Sequence, residues 1–446
     1  MVSQEQRENA FLWILDALKS GDIAVPIIAR DFTPEDWAFI FEGLPKALRF
    51  DLWLTLSEEK KSPILAAMRD DSREQLLTML SSEHLEDVAR SSSAEHLVEI
   101  LDVLPNKIAK GLIKKLNSEE SGLVEEALNY DDSQLGRYIN HDLYTVHKSA
   151  SVGDLLAELQ DEDLPPYTDS ILVVDDANHY LGQVDINALF SNKPELSLVQ
   201  IAEFSDRVLS ADLDLYDASE AVKSSGRSML PVIAKDGRLV GRFTIKDAID
   251  VFQEYYEAQV SHMGRVSDED LFAPVFTSAR RRAIWLGINL VTAFAASVVI
   301  GVFDQVVAQV VALAVLMPIV ASMGGITGSQ TLTLTIRGLA TGQLAKSNLR
   351  ALGNKEVLVA FFNGLLWAAV VSVITSFWFD NPWLSAIIGV SLVINMLVAA
   401  LSGIAIPVLL DKIGVDPALA GSVILTTVTD VVGFFVFLGS ASLLLI

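Results

Sequence analysis

Residues 419–446 of the chain read LAGSVILTTVTDVVGFFVFLGSASLLLI, and Asp430 is the only ionisable residue in this apolar stretch. A carboxylate at the centre of a membrane helix costs about 2.5–3.5 kcal/mol on insertion scales, so such residues mark ion or substrate paths by default. The alternative is that Asp430 hydrogen-bonds a neighbouring helix and serves packing alone. The stretch therefore predicts a membrane transport protein for cations, in which Asp430 contacts the ion.

Four more apolar stretches precede this one, and each reaches the ~20 residues that a helix needs to cross a bilayer. The five predicted spans are 283–303, 306–335, 356–379, 383–409 and 418–445. Basic residues, which favour cytoplasmic loops, flank alternate ends of these spans: Arg280, Arg281, Arg282, Arg337, Lys346, Arg350, Lys355 and Lys412. The pattern predicts a multi-pass protein of the cell membrane, surrounded by lipid, with a cytoplasmic N-terminus and an extracytoplasmic C-terminus.

The part of the chain before these spans is strongly acidic. The chain has 57 Asp and Glu against 33 Lys and Arg, and only six of these acids and eight of these bases lie beyond residue 279. An acidic surface attracts cations and repels nucleic acid, so no nucleic-acid partner is expected. The chain has no cysteine, which excludes thiolate metal sites. It also has neither a phosphate loop nor an HExxH motif, so we expect neither an enzyme nor an ATP-driven pump.

The acidic part divides into two regions. Residues 1–137 show leucines at helical spacing and frequent helix-start signals, which predict an all-α superhelical N domain, with a generic helical bundle as the alternative. Further on, ILVVDDANHYLGQVDINAL (171–189) repeats as LPVIAKDGRLVGRFTIKDAI (230–249). Each copy predicts two strands and a helix, and the pair resembles a tandem of CBS domains. The predicted α/β CBS domains cover 138–200 and 201–257, a connecting helix and loop cover 246–279, and a five-helix transmembrane domain covers 280–446.

A polar face surrounds Asp430 on its predicted helix. Thr426, Thr427 and Gly433 lie four and three residues before it and three after it, so they share its side of the helix. Mg²⁺ keeps several waters and binds through one or two carboxylates, so this face suits a hydrated Mg²⁺ ion. The further pore-lining candidates, for which helix packing is the alternative, are Pro318, Gly325, Gly328 and Asn395.

Three segments make the chain resemble one family. RRRAIWLGINL (280–290), PIVASMGGITGSQTLTLTIRGLA (318–340) and GIAIPVLLDKIGVDPALAGSVILTTVTDVVGFFVFLG (403–439), together with the order of domains, resemble the MgtE family of magnesium channels and transporters. The resemblance implies a homodimer whose second and fifth membrane helices line a pore, with Asp430 as the pore aspartate. It also implies that cytosolic Mg²⁺, bound between N and CBS domains, holds the connecting helices over the pore and closes it.

Two departures from the family pattern concern ion preference and gating. The family usually reads GGN in the second span, whereas this chain has Ile326 after Gly324 and Gly325. Its connecting helix usually resembles EEEATED, whereas residues 253–259 here read QEYYEAQ. Fewer acids weaken the expected regulatory Mg²⁺ site. The candidate sensor ligands that remain are Asp247, Asp250, Glu254, Glu257 and Asp416, and for the first two a solvated helix face is the alternative.

A nucleotide site is also predicted in the second CBS domain. Gly241, Thr244 and Asp247 fit the G-x-x-[ST]-x-x-[DN] pattern by which some CBS domains hold adenosine ribose. The first repeat has Ala188 at the last position and lacks the pattern. Thr244 and Asp247 are therefore the candidate ligands of an adenine nucleotide.

The function expected from the sequence is a Mg²⁺-selective, or broader divalent-cation, channel or facilitator that is gated by cytosolic Mg²⁺. Two alternatives stay open at this point. One is a cation-coupled divalent antiporter, and the other is a membrane sensor of divalent cations that conducts nothing. The preferred metal among Mg²⁺, Co²⁺, Mn²⁺ and Ca²⁺ is also open.

Overall fold

The computed structural model describes residues 3–21, 29, 32–203, 207–264, 266 and 273–445. The chain forms two compact units. The first comprises Met1–Glu257 with Asp270–Pro274, and the second comprises Ala258–Glu269 with Val275–Ile446. The predicted domain boundaries stay predictions.

The first unit begins with short helices packed around one apolar core. Within the described residues these are α1 to α9: Gln4–Ser20, Pro34–Gly43, Lys46–Thr55, Glu58–Ala67, Asp70–Leu77, Ser82–Ser91, Ala94–Asp102, Asn106–Ile113 and Ser118–Ala127. The start of α2 shows why they form where they do, because Thr33 and Asp36 cap each other's backbone N–H groups around Pro34. The rings of Phe41 and Trp53 are fully buried and meet edge to face.

Two small sheets with the same topology follow. The strands β1 to β6 are Thr145–His147, Ser170–Val174, Tyr180–Asp185, Leu209–Ser210, Met229–Ile233 and Leu239–Thr244. In each sheet the first pair is parallel and the second antiparallel. The helices α10 to α13 are Val152–Glu158, Ile186–Ser191, Leu198–Ile201 and Leu215–Ser225. The internal repeat seen in the sequence is thus a repeat of structure.

Glycine is required where the second strand of a repeat passes close to another backbone. A Cβ at Gly241 would lie 2.8 Å from the Asn140 carbonyl oxygen and inside the side chain of Ile139. The sheet then leads directly into α14, Ile245–Met263, which is the predicted connecting helix. Of the loop predicted after it, residues 265 and 267–272 lie outside the described residues.

The second unit contains the apolar helices. They are α15 to α20: Val275–Val302, Asp304–Gln309, Ala312–Ala340, Leu349–Phe379, Pro382–Lys412 and Pro417–Leu444. Among the described helices, five of these six are long and apolar enough to cross a membrane, and α16 is too short. The helix α19 lies at the centre and packs along α17, α18 and α20.

The predicted second span, 306–335, was wrong at its start. The chain there forms the short helix α16, and the helical geometry is interrupted at Val310, whose φ is −121° and ψ 78°. The membrane helix α17 then begins at Ala312 and continues through Pro318 without a break. The sequence from Phe303 to Ala312 contains no proline or glycine that would mark the interruption.

Candidate functional site

Asp430 lies in the middle of α20. This helix begins where the Asp416 carboxylate accepts the N–H of Ala418 at 2.7 Å, with Pro417 at the first helical position. Asp430 is partly buried, and no described residue donates a hydrogen bond to its carboxylate. An unpaired carboxylate in an apolar helix needs a cation or water as its partner.

Two threonines share the Asp430 face, as predicted from their spacing. The hydroxyl groups of Thr426 and Thr427 donate to the carbonyl oxygens of Ser422 and Val423, both at 2.8 Å. These bonds use the hydroxyl protons and leave the oxygen lone pairs as acceptors. The two side chains can therefore accept hydrogen bonds from the waters of an ion near Asp430.

Asn395 ties three membrane helices together one turn beyond Asp430. Its side chain is fully buried on α19, and its Nδ2 donates to the Val320 carbonyl oxygen of α17 at 3.0 Å. A Cβ at Gly433 of α20 would lie 2.7 Å from the same nitrogen, and a Cβ at Gly324 of α17 would overlap it. Asn395 and Gly433 therefore pack inside the protomer, and their contact with a pore stays a prediction.

The other predicted pore residues of α17 have different surroundings. Gly328 is buried, and a Cβ there would lie 2.8 Å from the Leu425 side chain, so it permits close approach of α20. Gly325 has open space around its Cβ position, and Pro318 is exposed. Within one protomer, Pro318 and Gly325 thus lie at a surface, whereas Gly328 serves contact between helices.

Two candidate sensor carboxylates on α14 bind basic side chains of the same chain. Arg69 Nη2, from the loop before α5, lies 2.5 Å from Glu257 Oε2. Lys246 Nζ lies 2.9 Å from Asp250 Oδ2, one turn along α14. A basic side chain therefore stands beside each carboxylate at the place where a metal ion was expected.

Asp416 and Asp247 also have partners. His262 Nδ1, in the last turn of α14, lies 2.5 Å from Asp416 Oδ2. Asp247 Oδ2 accepts the backbone N–H and the hydroxyl group of Thr244, both at 2.8 Å, and so caps the start of α14. In the described part of the chain, no group of three or more His, Asp and Glu side chains could hold a metal ion.

Glu254, the remaining sensor candidate, belongs to an acidic cluster shared by α14 and the N-terminal helices. Burial raises the pKa of Glu99 on α7 to about 7, Arg73 at 3.1 Å opposes the rise, and the Glu254 carboxylate adds to it. Burial also raises the pKa of Tyr138 to about 12, and Glu254 again adds to the rise. Glu99 thus holds its proton up to near-neutral pH.

The sequence reasoning missed one acidic residue in the membrane domain. Glu356, near the start of α18, is 5% exposed and accepts a hydrogen bond from the Thr331 hydroxyl group of α17 at 3.2 Å. Its signal in the sequence is that it is the one acidic residue of α18. It was missed because the predicted third span began at Glu356, where an acid costs little, whereas α18 begins at Leu349.

Family models match most of the chain. The model described as "Divalent cation transporter" (MgtE) matches residues 317–440, and "MgtE intracellular N domain" matches 32–133. The CBS domain model matches 135–193 and 205–254. These matches cover the helical region, the two sheets, and α17 through α20 with Asp430.

The chain belongs to the MgtE family.

Curated relatives named "Magnesium transporter MgtE" align with this MgtE protein over nearly its whole length. The relative from Bacillus subtilis (strain 168) is 25% identical over 99% of both chains. The relative from Thermus thermophilus is 27% identical over 98% of this chain and 99% of its own. The chain is therefore a membrane transporter of a family that is not enzymatic. This confirms the predictions of a membrane transport protein and of a protein that is not an enzyme.

Two solved structures resemble part of the chain. The soluble part of a magnesium transporter is 20% identical, with a TM-score of 0.49, and covers 56% of this chain and 99% of its own. The cytosolic domain of the Mg²⁺ channel MgtE in complex with ATP is 21% identical, with a TM-score of 0.48, and covers 54% of this chain and 99% of its own.

Proposed function

We propose that this MgtE protein is a channel or facilitator for Mg²⁺, with other divalent cations as further substrates. The observation that carries the proposal is the Asp430 carboxylate, which lies partly buried in an apolar helix without a hydrogen-bond donor among the described residues. The relatives' name, magnesium transporter, supports Mg²⁺ as the cargo.

Mg²⁺ suits this site because it gives up its hydration water reluctantly. One carboxylate can bind a largely hydrated ion, while the lone pairs of Thr426 and Thr427 accept hydrogen bonds from its waters. We propose a homodimer in which two copies of Asp430, related by a two-fold axis, face one pore. The partly buried face of α20 around Asp430 supports this arrangement, since a single protomer leaves the carboxylate unpaired.

The proposed transport is passive and directed into the cell. A membrane potential that is negative inside is worth about 2.3 kcal/mol per charge per 100 mV, and twice that for a divalent ion. The basic residues at Arg280–Arg282, Lys355 and Lys412 support a cytoplasmic N-terminus and an extracytoplasmic C-terminus. The acidic N and CBS domains would then face the cytosol.

The proposed gating depends on Mg²⁺ less than the family resemblance implies. Glu257, Asp250 and Asp416 are candidate sensor ligands, and each has a basic side chain within 3 Å in this chain. A carboxylate that is already paired gains less from a metal ion. We infer that regulatory Mg²⁺ must compete with Arg69, Lys246 and His262.

An adenine nucleotide at the second CBS domain is a separate proposal. Its support is the motif that contains Thr244 and Asp247, whose oxygen atoms lie 2.8 Å apart. A ribose would have to replace this capping contact. Isothermal titration of the full chain with ATP should show saturable heat that Asp247→Ala removes, and no heat in the unaltered chain would contradict the site.

Flux of Mg²⁺ into proteoliposomes that hold the full chain tests the proposed function. Asp430→Asn keeps the size of the side chain and removes its charge, so we expect flux to fall to the level of protein-free liposomes. Asp380→Asn is the matched control, because it removes an exposed carboxylate from the same domain, at the end of α18. The control should conduct normally.

Each contrary result points to a defined alternative. Normal flux through Asp430→Asn would exclude the pore assignment. Flux that requires an opposing gradient of H⁺ or Na⁺ would indicate an antiporter. Absence of flux from the unaltered, correctly folded chain would indicate a sensor that does not conduct.

A further inference from the structure

A polar crevice lies inside the membrane domain, and Asp430 is not among the residues that line it. It has a volume of about 160 Å³ and runs between α17 and α18, from Glu356 to Trp367 along α18, with Met396 of α19 beside it. The helices α17 and α18 each pack along α19 and touch one another at few points, which leaves the gap. A water molecule occupies about 30 Å³ in the liquid, so the crevice has room for several waters.

The crevice is lined by several oxygen acceptors. Glu356 is 5% exposed and Thr331 is 2% exposed. The Thr331 hydroxyl group donates to Glu356 Oε2 at 3.2 Å, and the Thr327 hydroxyl group donates to the Met323 carbonyl oxygen at 2.8 Å, so both threonine oxygens can still accept. The amide groups of Gln330 and Asn363 add oxygen acceptors together with N–H donors. The buried carboxylate with these oxygen atoms favours a hard cation over an anion.

The carboxylate already has a counter-ion that can move. Lys355 Nζ lies 3.2 Å from Glu356 Oε1, and the lysine side chain is 65% exposed whereas the glutamate side chain is 6% exposed. An exposed lysine is flexible and contributes little as an ion-pair partner. It can therefore leave the buried carboxylate to an incoming ion while its own charge returns to water.

We propose that this crevice binds a partly hydrated divalent cation through Glu356, at a site separate from Asp430. The cation displaces the Lys355 ammonium group and is surrounded by Glu356, the threonine oxygens, and retained waters. On α17, Thr327 and Thr331 line this site, while Gly324 lies against Asn395 of α19 and Gly328 against Leu425 of α20. A cation in the crevice thus contacts α17, which also packs against α20, the helix that carries Asp430.

The absence of cysteine from the chain allows a direct test. Val359 lines the crevice one turn from Glu356 and is 44% exposed. We expect Val359→Cys, in full-length protein in nanodiscs, to react with a water-soluble methanethiosulfonate. Mg²⁺ should slow the reaction saturably at constant ionic strength. Adding Glu356→Gln should weaken the apparent Mg²⁺ affinity about tenfold or more, as expected for the loss of a metal ligand.

A second variant distinguishes a cation site from a packing contact, because it should change the apparent Mg²⁺ affinity in the opposite direction. Lys355→Met removes the competing ammonium group from an exposed position, so Mg²⁺ should protect Val359→Cys at an about threefold lower concentration. Leu358→Cys, on the neighbouring face of α18 outside the crevice, should show no Mg²⁺ dependence. Asp430→Asn should leave the protection unchanged, which distinguishes this site from the proposed pore.

Several results would overturn the site. A Val359→Cys thiol that does not react would mean that water does not reach the crevice. Protection that survives Glu356→Gln, or that Na⁺ produces equally well, would exclude a divalent site at this carboxylate. Protection that disappears with Asp430→Asn would show that the thiol reports an ion at Asp430 instead.

Discussion

Glu99 makes the N-terminal helices sensitive to pH through a single carboxyl group. Burial raises its pKa from the ordinary 4.5 to about 7. Between these two pH values the folded protein keeps the proton that the unfolded chain has lost, so the folded state binds more protons. The contribution of Glu99 to the free energy of unfolding therefore falls as pH rises from 4.5 to about 7 and is constant above pH 7.

We expect Glu99→Gln to remove this decline. The full shift corresponds to roughly 3 kcal/mol. Because the Glu99 side chain is 32% exposed, screening by solvent reduces the expected effect to about 1 kcal/mol. Amide hydrogen exchange of α7, compared between the full chain and the variant at each pH, measures this change in stability. Glu83→Gln, an exposed position on α6, is the control, and an unchanged pH dependence in Glu99→Gln would refute the assignment.

At the scale of single residues, the sequence identified Asp430 but not its counterpart Glu356. Both are isolated acids in apolar helices, and the difference lies in where each helix was predicted to begin. The boundary of α18 depends on the loop from Thr341 to Asn348, which has no strong stop signal beyond Gly342. Because the predicted span began at Glu356, whereas α18 begins at Leu349, the buried Glu356 carboxylate was predicted to lie at the membrane surface, where a charged side chain is not unusual.

At the scale of helices, the contact among Gly433, Asn395 and Gly324 predicts a steep cost for a single methyl group. In Gly433→Ala the new Cβ would lie 2.7 Å from Asn395 Nδ2, so a helix or the amide group must shift. Overpacking of this kind costs about 1–3 kcal/mol. Gly439→Ala, two turns along the same helix, meets Phe303 only at an ordinary 3.7 Å and should be neutral or stabilising.

Unfolding of the purified full chain in detergent measures both variants. Adding Asn395→Ala should recover part of the stability that Gly433→Ala loses, because it removes the group that collides with the new methyl group. Such coupling appears as non-additivity in a double-mutant cycle. Equal stability of Gly433→Ala and Gly439→Ala would mean that Asn395 does not hold the three helices together.

The elements themselves could largely be predicted from local patterns. The repeat at 171–189 and 230–249 became two sheets of one topology, and the apolar stretches became membrane helices. The interruption at Val310 could not be predicted, because the sequence from Phe303 to Ala312 contains neither proline nor glycine, the usual signals of a helix break. Hydrophobic periodicity alone does not record such a break.

At the scale of the whole molecule, the partners of the sensor carboxylates were out of reach of the sequence. Arg69 and Glu257 are 188 residues apart, and His262 and Asp416 are 154 apart. Nothing in a local pattern pairs such positions, so the acids were predicted as metal ligands and their basic partners were not noticed. The pairing follows from the folding of each unit.

These pairs predict how gating responds to Mg²⁺ in the full chain. With Arg69 and Lys246 in place, the Glu257 and Asp250 carboxylates are already paired, so we expect flux to depend weakly on Mg²⁺ on the cytosolic side. In Arg69→Met with Lys246→Met, these two carboxylates lose their basic partners, and Mg²⁺ can replace the lost positive charges. Flux should then change about tenfold between low and millimolar Mg²⁺, equivalent to about 1.4 kcal/mol of coupling.

The measurement is Mn²⁺ flux into proteoliposomes with the N and CBS domains facing the bath and Mg²⁺ varied on that side. Arg90→Met, an exposed basic residue at the end of α6, controls for the loss of positive charge and should behave as the unaltered chain. If the unaltered chain already responds to Mg²⁺ as steeply as the double variant, the basic side chains do not substitute for the metal. The weakened acidic string at 253–259 would then have no effect on gating, and regulatory Mg²⁺ would bind despite Arg69 and Lys246.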